Sequence, residues 1–329
     1  MNNKFQIYLN KILNLRVIMT VIVILGSITA VLGTYLTNYH LLTDSLQVLR
    51  FGDYRTSEQK QWQREIKEEN SKIELNNKKS VYLLSFDGIL YDLLVKYTLD
   101  DYLKNKLETG ELYSRQYNIF TYETKLGFRN ILGGYKTRTD FNIFNLIANS
   151  KNPLKTFAVY SWEPMRTAVL SRNTHIDKEY NLERYPYEGY AHSKLNKKFN
   201  DGKELMDFST GLLNESVETK DYNFYFYLDD VADNAGHLWL KLSSDYIINT
   251  YKYYYNIIGT LLKKFENDPN TLVIVTTDHG RNKNGYNHDF WDKNAYKAFV
   301  VANHNLNNII NRPFVNYIDI MQAIYTFLQ

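Results

Sequence analysis

The stretch Leu272-Val273-Ile274-Val275-Thr276-Thr277-Asp278-His279-Gly280 decides the fold. Its opening run is continuously apolar or β-branched rather than alternating, so a strand made from it is buried on both faces, as in a parallel sheet covered by helices. The run then stops on Asp278 and His279. Two polar groups set beside a core cost on the order of 1–3 kcal/mol when unpartnered, so this strand end calls for a partner or ligand. Similar runs lie at Val81–Phe86, Thr156–Tyr160, Phe224–Leu228 and Ala298–Val301. Between them, Ser243 to Phe265 carries Tyr246, Ile247, Thr250, Tyr254, Ile257, Ile258, Leu261 and Leu262 at helical spacing. The expected fold is α/β, a mainly parallel central sheet sandwiched by helices.

The residues that follow each strand give the sheet a chemistry. The first strand ends in Asp87-Gly88, the third leads through Asp229-Asp230 to Asp233 and His237, and the fourth ends in Asp278-His279-Gly280, with His288 shortly after. In open parallel sheets functional groups collect outside the carboxyl ends of the strands, so these segments are expected to meet in one crevice. Each has a plain alternative: Asp87 before glycine suits a turn, and Asp233 with His237 suits a helix start. As a set they are nitrogen and oxygen ligands of the type hard and borderline metals use.

Composition removes competing chemistries. The 329 residues include no cysteine, which excludes disulfide frameworks, thiolate zinc sites, iron–sulfur clusters and a cysteine nucleophile. With 39 Lys+Arg against 36 Asp+Glu the net charge is +3, so nucleic acid is not an expected partner.

Val17 to Thr37 is uncharged, mostly apolar and long enough to cross a bilayer as a helix. Lys4, Lys11 and Arg16 precede it, which places residues 1–16 in the cytoplasm, a single transmembrane anchor over 17–38, and everything beyond outside the cytoplasm. Residues 39–79 are expected to be a polar stalk, with Glu58 to Lys79 an exposed helix free of Gly and Pro. Residues 80–329 form the expected catalytic domain, with an insertion around 163–218 over the site offering Trp162, Tyr185, Tyr187 and Tyr190 for stacking.

The order strand then Asp87-Gly88, a hydroxyl at a helix start, Asp233-Asn234-Ala235-Gly236-His237, Thr277-Asp278-His279-Gly280 and Gly285-Tyr286-Asn287-His288 resembles the alkaline phosphatase superfamily, in particular its type I phosphodiesterase/nucleotide pyrophosphatase branch. The catalytic domain of the GPI ethanolamine phosphate transferases is similar too. The resemblance runs from Val81 to about Leu328 and includes the closing segment Val315–Ile320. It implies a nucleophilic hydroxyl opening a helix that ends in a small residue and Gly. Aligning Gly134 with that glycine puts Thr124 on the nucleophile; Thr121 is the competitor, and Leu126 stands where the family has Pro. It further implies two divalent ions, zinc with Mn²⁺ as the alternative: one held by Asp87, Thr124, Asp278 and His279, the other by Asp233, His237 and His288. Asn145 matches a phosphate-contacting Asn, a solvent-facing helix residue being the alternative. Asp229 and Asp230 are expected to support the histidines, and Arg281 to meet a substrate anion or lie on the surface.

The implied function is a membrane-anchored phosphodiesterase or phosphatase that cleaves phosphate esters through a phospho-threonine. The alternative is a phosphoethanolamine transferase acting on a glycolipid. The chain shows no run of membrane spans after the catalytic domain, which favours the hydrolase. A membrane-anchored binding module without activity is the third reading, and the full ligand set speaks against it.

Overall fold

In the computed structural model the described residues are 53, 55–97, 101–135, 140–162, 164–171, 173–185, 189–192, 197–199, 202–237, 244–282, 288 and 291–329. Those from Arg55 on belong to one contact unit, Arg55–Gln329. The chain runs α1 (Ser57–Glu69), β1 (Ser80–Phe86), α2 (Tyr91–Lys96), α3 (Asp101–Glu108), β2 (Tyr113–Asn118), α4 (Thr124–Gly133) and α5 (Ile143–Ala148). It continues through β3 (Thr156–Tyr160), a π-helical turn (Met165–Val169), β4 (Lys178–Tyr185), β5 (Gly189–His192), β6 (Lys197–Phe199) and α6 (Gly202–Thr219). Then come β7 (Phe224–Asp229), α7 (Val231–His237), α8 (Asp245–Lys264), β8 (Thr271–Thr276), β9 (Lys297–Ala302), α9 (Leu306–Ile310) and α10 (Ile318–Leu328).

The strands are hydrogen-bonded in the order β2-β9-β8-β1-β7-β3-β4-β5-β6. The centre, β8-β1-β7-β3-β4, is parallel, and both ends turn antiparallel. Strands β1, β7 and β8 are buried on both faces, as continuous apolar runs require. Alternation sorts their side chains: Val81 and Leu83 join a core with α4, α5, α9 and α10, whereas Tyr82, Leu84 and Phe86 join another with α2, α3, α6, α7 and α8. The helix–sheet–helix sandwich read from the sequence is therefore the observed architecture.

Two expectations change. Helix α1 is no exposed stalk; it belongs to the sandwich. Thr56 and Gln59 close a capping box, Gln59 Nε2 donates to Asp319 Oδ1 at 2.7 Å, and Gln63 Nε2 donates to the Gly134 carbonyl at 2.7 Å. Asn70 Nδ2 donates to the Leu146 carbonyl at 3.1 Å, and Ile66 enters the core. The helix docks largely through hydrogen-bonded amides, so its polar sequence reads as solvent-facing when it is not. The described residues of 163–218 contribute strands and a helix to the scaffold, whereas the expected cover over the site falls partly outside the described residues. β4 extends the sheet beside β3, and α6 lays Leu205, Met206, Leu213 and Val217 on one face. Trp162 packs against the core with its ring 6.3 Å from Phe128, Tyr185 and Tyr190 are strand residues of β4 and β5, and Tyr187 lies outside the described residues.

Among the described residues no helix is long and apolar enough to cross a membrane. The span expected over 17–38 lies outside the described residues.

Candidate metal centre

Because β8, β1 and β7 are neighbours at the middle of the sheet, their carboxyl ends deliver Asp278 with His279, Asp87, and through α7 Asp233 with His237 to one place. Helix α4 brings Thr124 from the opposite direction. Gly127, in its first turns, makes this approach feasible: a Cβ there would lie 2.7 Å from Asp278 Cβ and 2.8 Å from the Asp278 carbonyl oxygen.

The first group is Asp87, Asp278, His279 and Thr124. His279 Nε2 is 3.2 Å from Asp87 Oδ1, 3.5 Å from Asp278 Oδ2 and 3.1 Å from Thr124 Oγ1, which is itself 3.5 Å from Asp87 Oδ1. Four donors bound tetrahedrally at about 2.0–2.1 Å stand roughly 3.3–3.4 Å from one another by simple geometry, so the observed edges leave room for a divalent ion. His279 Nδ1 lies 2.9 Å from the Gly280 carbonyl; donation there leaves the Nε2 lone pair facing the other ligands. Asp87, Asp278 and His279 are at most 1% exposed, and Oδ2 of each aspartate is buried with no hydrogen-bond partner. Burial pushes both carboxyls well above the usual range; Asp233 and Asp230 add to this for Asp87, and Asp87 for Asp278. Buried like charges with orphaned oxygens are what a bound cation would offset.

The second group is Asp233, His237 and His288. One turn of α7 separates Asp233 from His237 and puts both on one face. Asp233 Oδ2 is 3.0 Å from His237 Nε2, His237 Nε2 is 3.1 Å from His288 Nε2, and His288 Nε2 is 3.9 Å from Asp233 Oδ1. Burial, followed by the neighbouring His279, holds His288 down at about 3, so it is a neutral imidazole at neutral pH, the form that binds metal. Burial pushes Asp233 up, but the Arg281 guanidinium and His237 outweigh it and hold its carboxyl well below the usual range. The His279 and His288 rings lie 4.1 Å apart, so the two groups adjoin.

The seven residues expected as ligands thus lie beside one another, the acid and histidine sets whose ligand atoms converge being Asp233, His279 and His288 and Asp87, Asp278 and His279, and the two threonines sit differently. Thr121 is buried, its Oγ1 accepting the Glu123 N–H at 3.0 Å. Thr124 opens α4, whose N-cap residue Glu123 makes no side-chain capping bond.

Other expectations are corrected. Asn145 is neither a phosphate contact nor solvent-facing. It is buried in α5, its Nδ2 donating to the Asp140 carbonyl at 2.9 Å and its Oδ1 accepting the His175 N–H at 3.0 Å. Asp229 and Asp230 support α7 rather than any histidine. Asp229 accepts from the Tyr254 hydroxyl, from the Val231 N–H at 2.9 Å and from the Tyr227 hydroxyl at 3.3 Å; burial pushes it up to about 7 against those bonds. Asp230 accepts from Ser161 Oγ at 2.6 Å and Asn234 Nδ2 at 2.5 Å. Arg281 is no surface residue: it is 1% exposed and paired with Asp233. Its position directly after Asp278-His279-Gly280 was the available signal; its burial had none.

No protein-family model matches this sequence, and no curated protein matches it. Among solved structures, the chain is similar to alkaline phosphatase from the Antarctic bacterium TAB5, at 15% identity over 77% of this chain and 98% of that one, with a TM-score of 0.50. Lipooligosaccharide phosphoethanolamine transferase A from Neisseria meningitidis is 10% identical over 79% and 57% of the two chains, with a TM-score of 0.48. The lipoteichoic acid synthase LtaP from Listeria monocytogenes is 12% identical over 80% and 77%, with a TM-score of 0.45. The fold is similar to that of the TAB5 alkaline phosphatase.

Proposed function

We propose that this chain is a two-ion phosphoryl-transfer enzyme, anchored by residues 17–38 with its catalytic domain outside the cytoplasm, that cleaves phosphate esters through a phospho-threonine on Thr124. The observation that carries the reading is Thr124 Oγ1, placed by the start of α4 within 3.1 Å of His279 Nε2 and 3.5 Å of Asp87 Oδ1. Two divalent ions, zinc or Mn²⁺, held by Asp87, Thr124, Asp278 and His279 and by Asp233, His237 and His288, would supply the positive charge that stabilises an alkoxide nucleophile and the transferring phosphoryl group. Thr124 Oγ1 bonds to phosphorus as the ester oxygen leaves with the electron pair of the broken P–O bond. The short edges of the first group hold that hydroxyl in line, which a flexible side chain in solution lacks. His237, with its side chain 43% exposed, leaves the second group open to the departing oxygen and then to water.

Attack on the phospho-threonine by water makes the enzyme a phosphodiesterase or phosphatase; attack by an acceptor alcohol makes it a phosphotransferase of the phosphoethanolamine type. The purified full chain, loaded with Zn²⁺, is assayed on bis(p-nitrophenyl) phosphate and on the monoester. Turnover of the diester, abolished in Thr124→Ala, supports the hydrolase. Turnover of neither with both ions bound turns the reading to a transferase with a lipid-type substrate, and a chain that binds no metal refutes both.

A further inference from the structure

Asp233 uses its two carboxylate oxygens differently. Oδ2 faces His237 Nε2 at 3.0 Å, whereas Oδ1 is taken by Arg281 Nη2, which also donates to the Asp233 carbonyl at 2.7 Å. A single guanidinium nitrogen thus clamps both the side chain and the backbone of one residue. The clamp is built in. Arg281 is buried, and Gly88, at φ +62°, leaves room for it: a Cβ there would lie 2.5 Å from Asp233 Oδ1 and 3.1 Å from Arg281 Nε. With Oδ1 occupied, Asp233 offers an ion one oxygen. Together with His237 and His288 that makes one carboxylate oxygen and two imidazole nitrogens, a three-ligand set suited to a four-coordinate ion with one open position. Oxygen-seeking ions of higher coordination number draw on both oxygens of a carboxylate.

We infer that Arg281 is a specificity-determining residue for the metal of the second group: by holding Asp233 to one oxygen it biases that group toward zinc and against manganese. This rests on the two-ion reading above. Arg281 pairs with Asp233 through Nη2 and so acts on the ion through Asp233, as a positioning residue. Its release frees Oδ1 to turn toward the ion and adds a fourth protein donor, a higher coordination number that the clamped geometry denies.

The test counts metals rather than turnover. Full-length wild type, Arg281→Met and Arg281→Lys are stripped by chelation, dialysed against equal free Zn²⁺ and Mn²⁺, and their bound metals are counted by mass spectrometry. His237→Ala identifies which ion belongs to the second group. Wild type is expected to hold zinc there, and Arg281→Met to raise the bound Mn²⁺:Zn²⁺ ratio by about fivefold or more. Arg281→Lys keeps the charge but not the planar, rigidly placed guanidinium and moves the ratio in the same direction by less. An unchanged ratio in Arg281→Met overturns the inference; if that variant does not fold, an unchanged ratio in Arg281→Lys does so. Wild type that takes up no metal overturns the two-ion reading first and this inference with it.

Discussion

The two ligand groups are made of opposite materials. The first sits on strand ends and the start of a helix, with two carboxylates and a histidine withdrawn from solvent. The second hangs on the end of α7 and on the segment carrying His288; it has one carboxylate, already paired to a cation, and side-chain exposures of 43% at His237 and 15% at His288. Backbone ladders fix the first to the sheet's own precision, while the second depends on a short helix held by Asp229 and Asp230. In the proposed mechanism the contrast would divide the tasks: the buried group would hold the nucleophile, and the open one would exchange water and substrate.

The strongest way to break this division is Thr124→Ala. It is expected to lower diester turnover by at least about a thousandfold while both ions stay bound, whereas Thr121→Ala keeps turnover and loses about 1 kcal/mol of stability from the Glu123 N–H bond. A reversal of those outcomes in the paired assay would move the nucleophile to Thr121. Gly127→Ala comes next. Its new Cβ would push α4 off Asp278, so turnover should fall about a hundredfold, while Gly211→Ala, in open space on α6, should be silent in activity and slightly stabilising.

A smaller effect concerns the support of the second group. Asp229 is held up to about 7 in the folded chain, far above an unfolded aspartate, so folding favours its protonated form. Its contribution is therefore complete below about pH 4 and is lost as pH rises toward about 7, a change on the order of 2–4 kcal/mol. Urea unfolding across that window should show this slope in wild type and a flatter one in Asp229→Asn; equal slopes would detach Asp229 from the folding of α7. Last, chelator titration should remove metal in two phases, with the faster one missing in His237→Ala. A single phase in wild type would mean that exposure does not separate the groups.

Much of this was legible because the chemistry lies in local words. Apolar runs that stop on Asp87, Asp229 and Asp278 announce buried strands whose carboxyl ends carry function, and the α7 ligands lie one helical turn apart. What remained hidden depends on contacts between distant segments. Gln59, Gln63 and Asn70 read as solvent-facing because their partners, Asp319, Gly134 and Leu146, are remote in sequence. Asn145 fits a spacing but is consumed by Asp140 and His175. Arg281 looks like any surface arginine until Asp233 is seen closing on it. Composition cannot show which polar groups are satisfied internally.

The docking of α1 has a practical outcome for anyone seeking a soluble, crystallisable form of this protein. A truncation at Ser80, where the apolar runs begin, would delete the amides that donate to Asp319 Oδ1 and to the Gly134 carbonyl and would uncover the bed of Ile66. Such a fragment should aggregate on expression. One that starts ahead of Thr56 retains the seal, and its yield against the shorter form is a quick measure of how much that one helix matters.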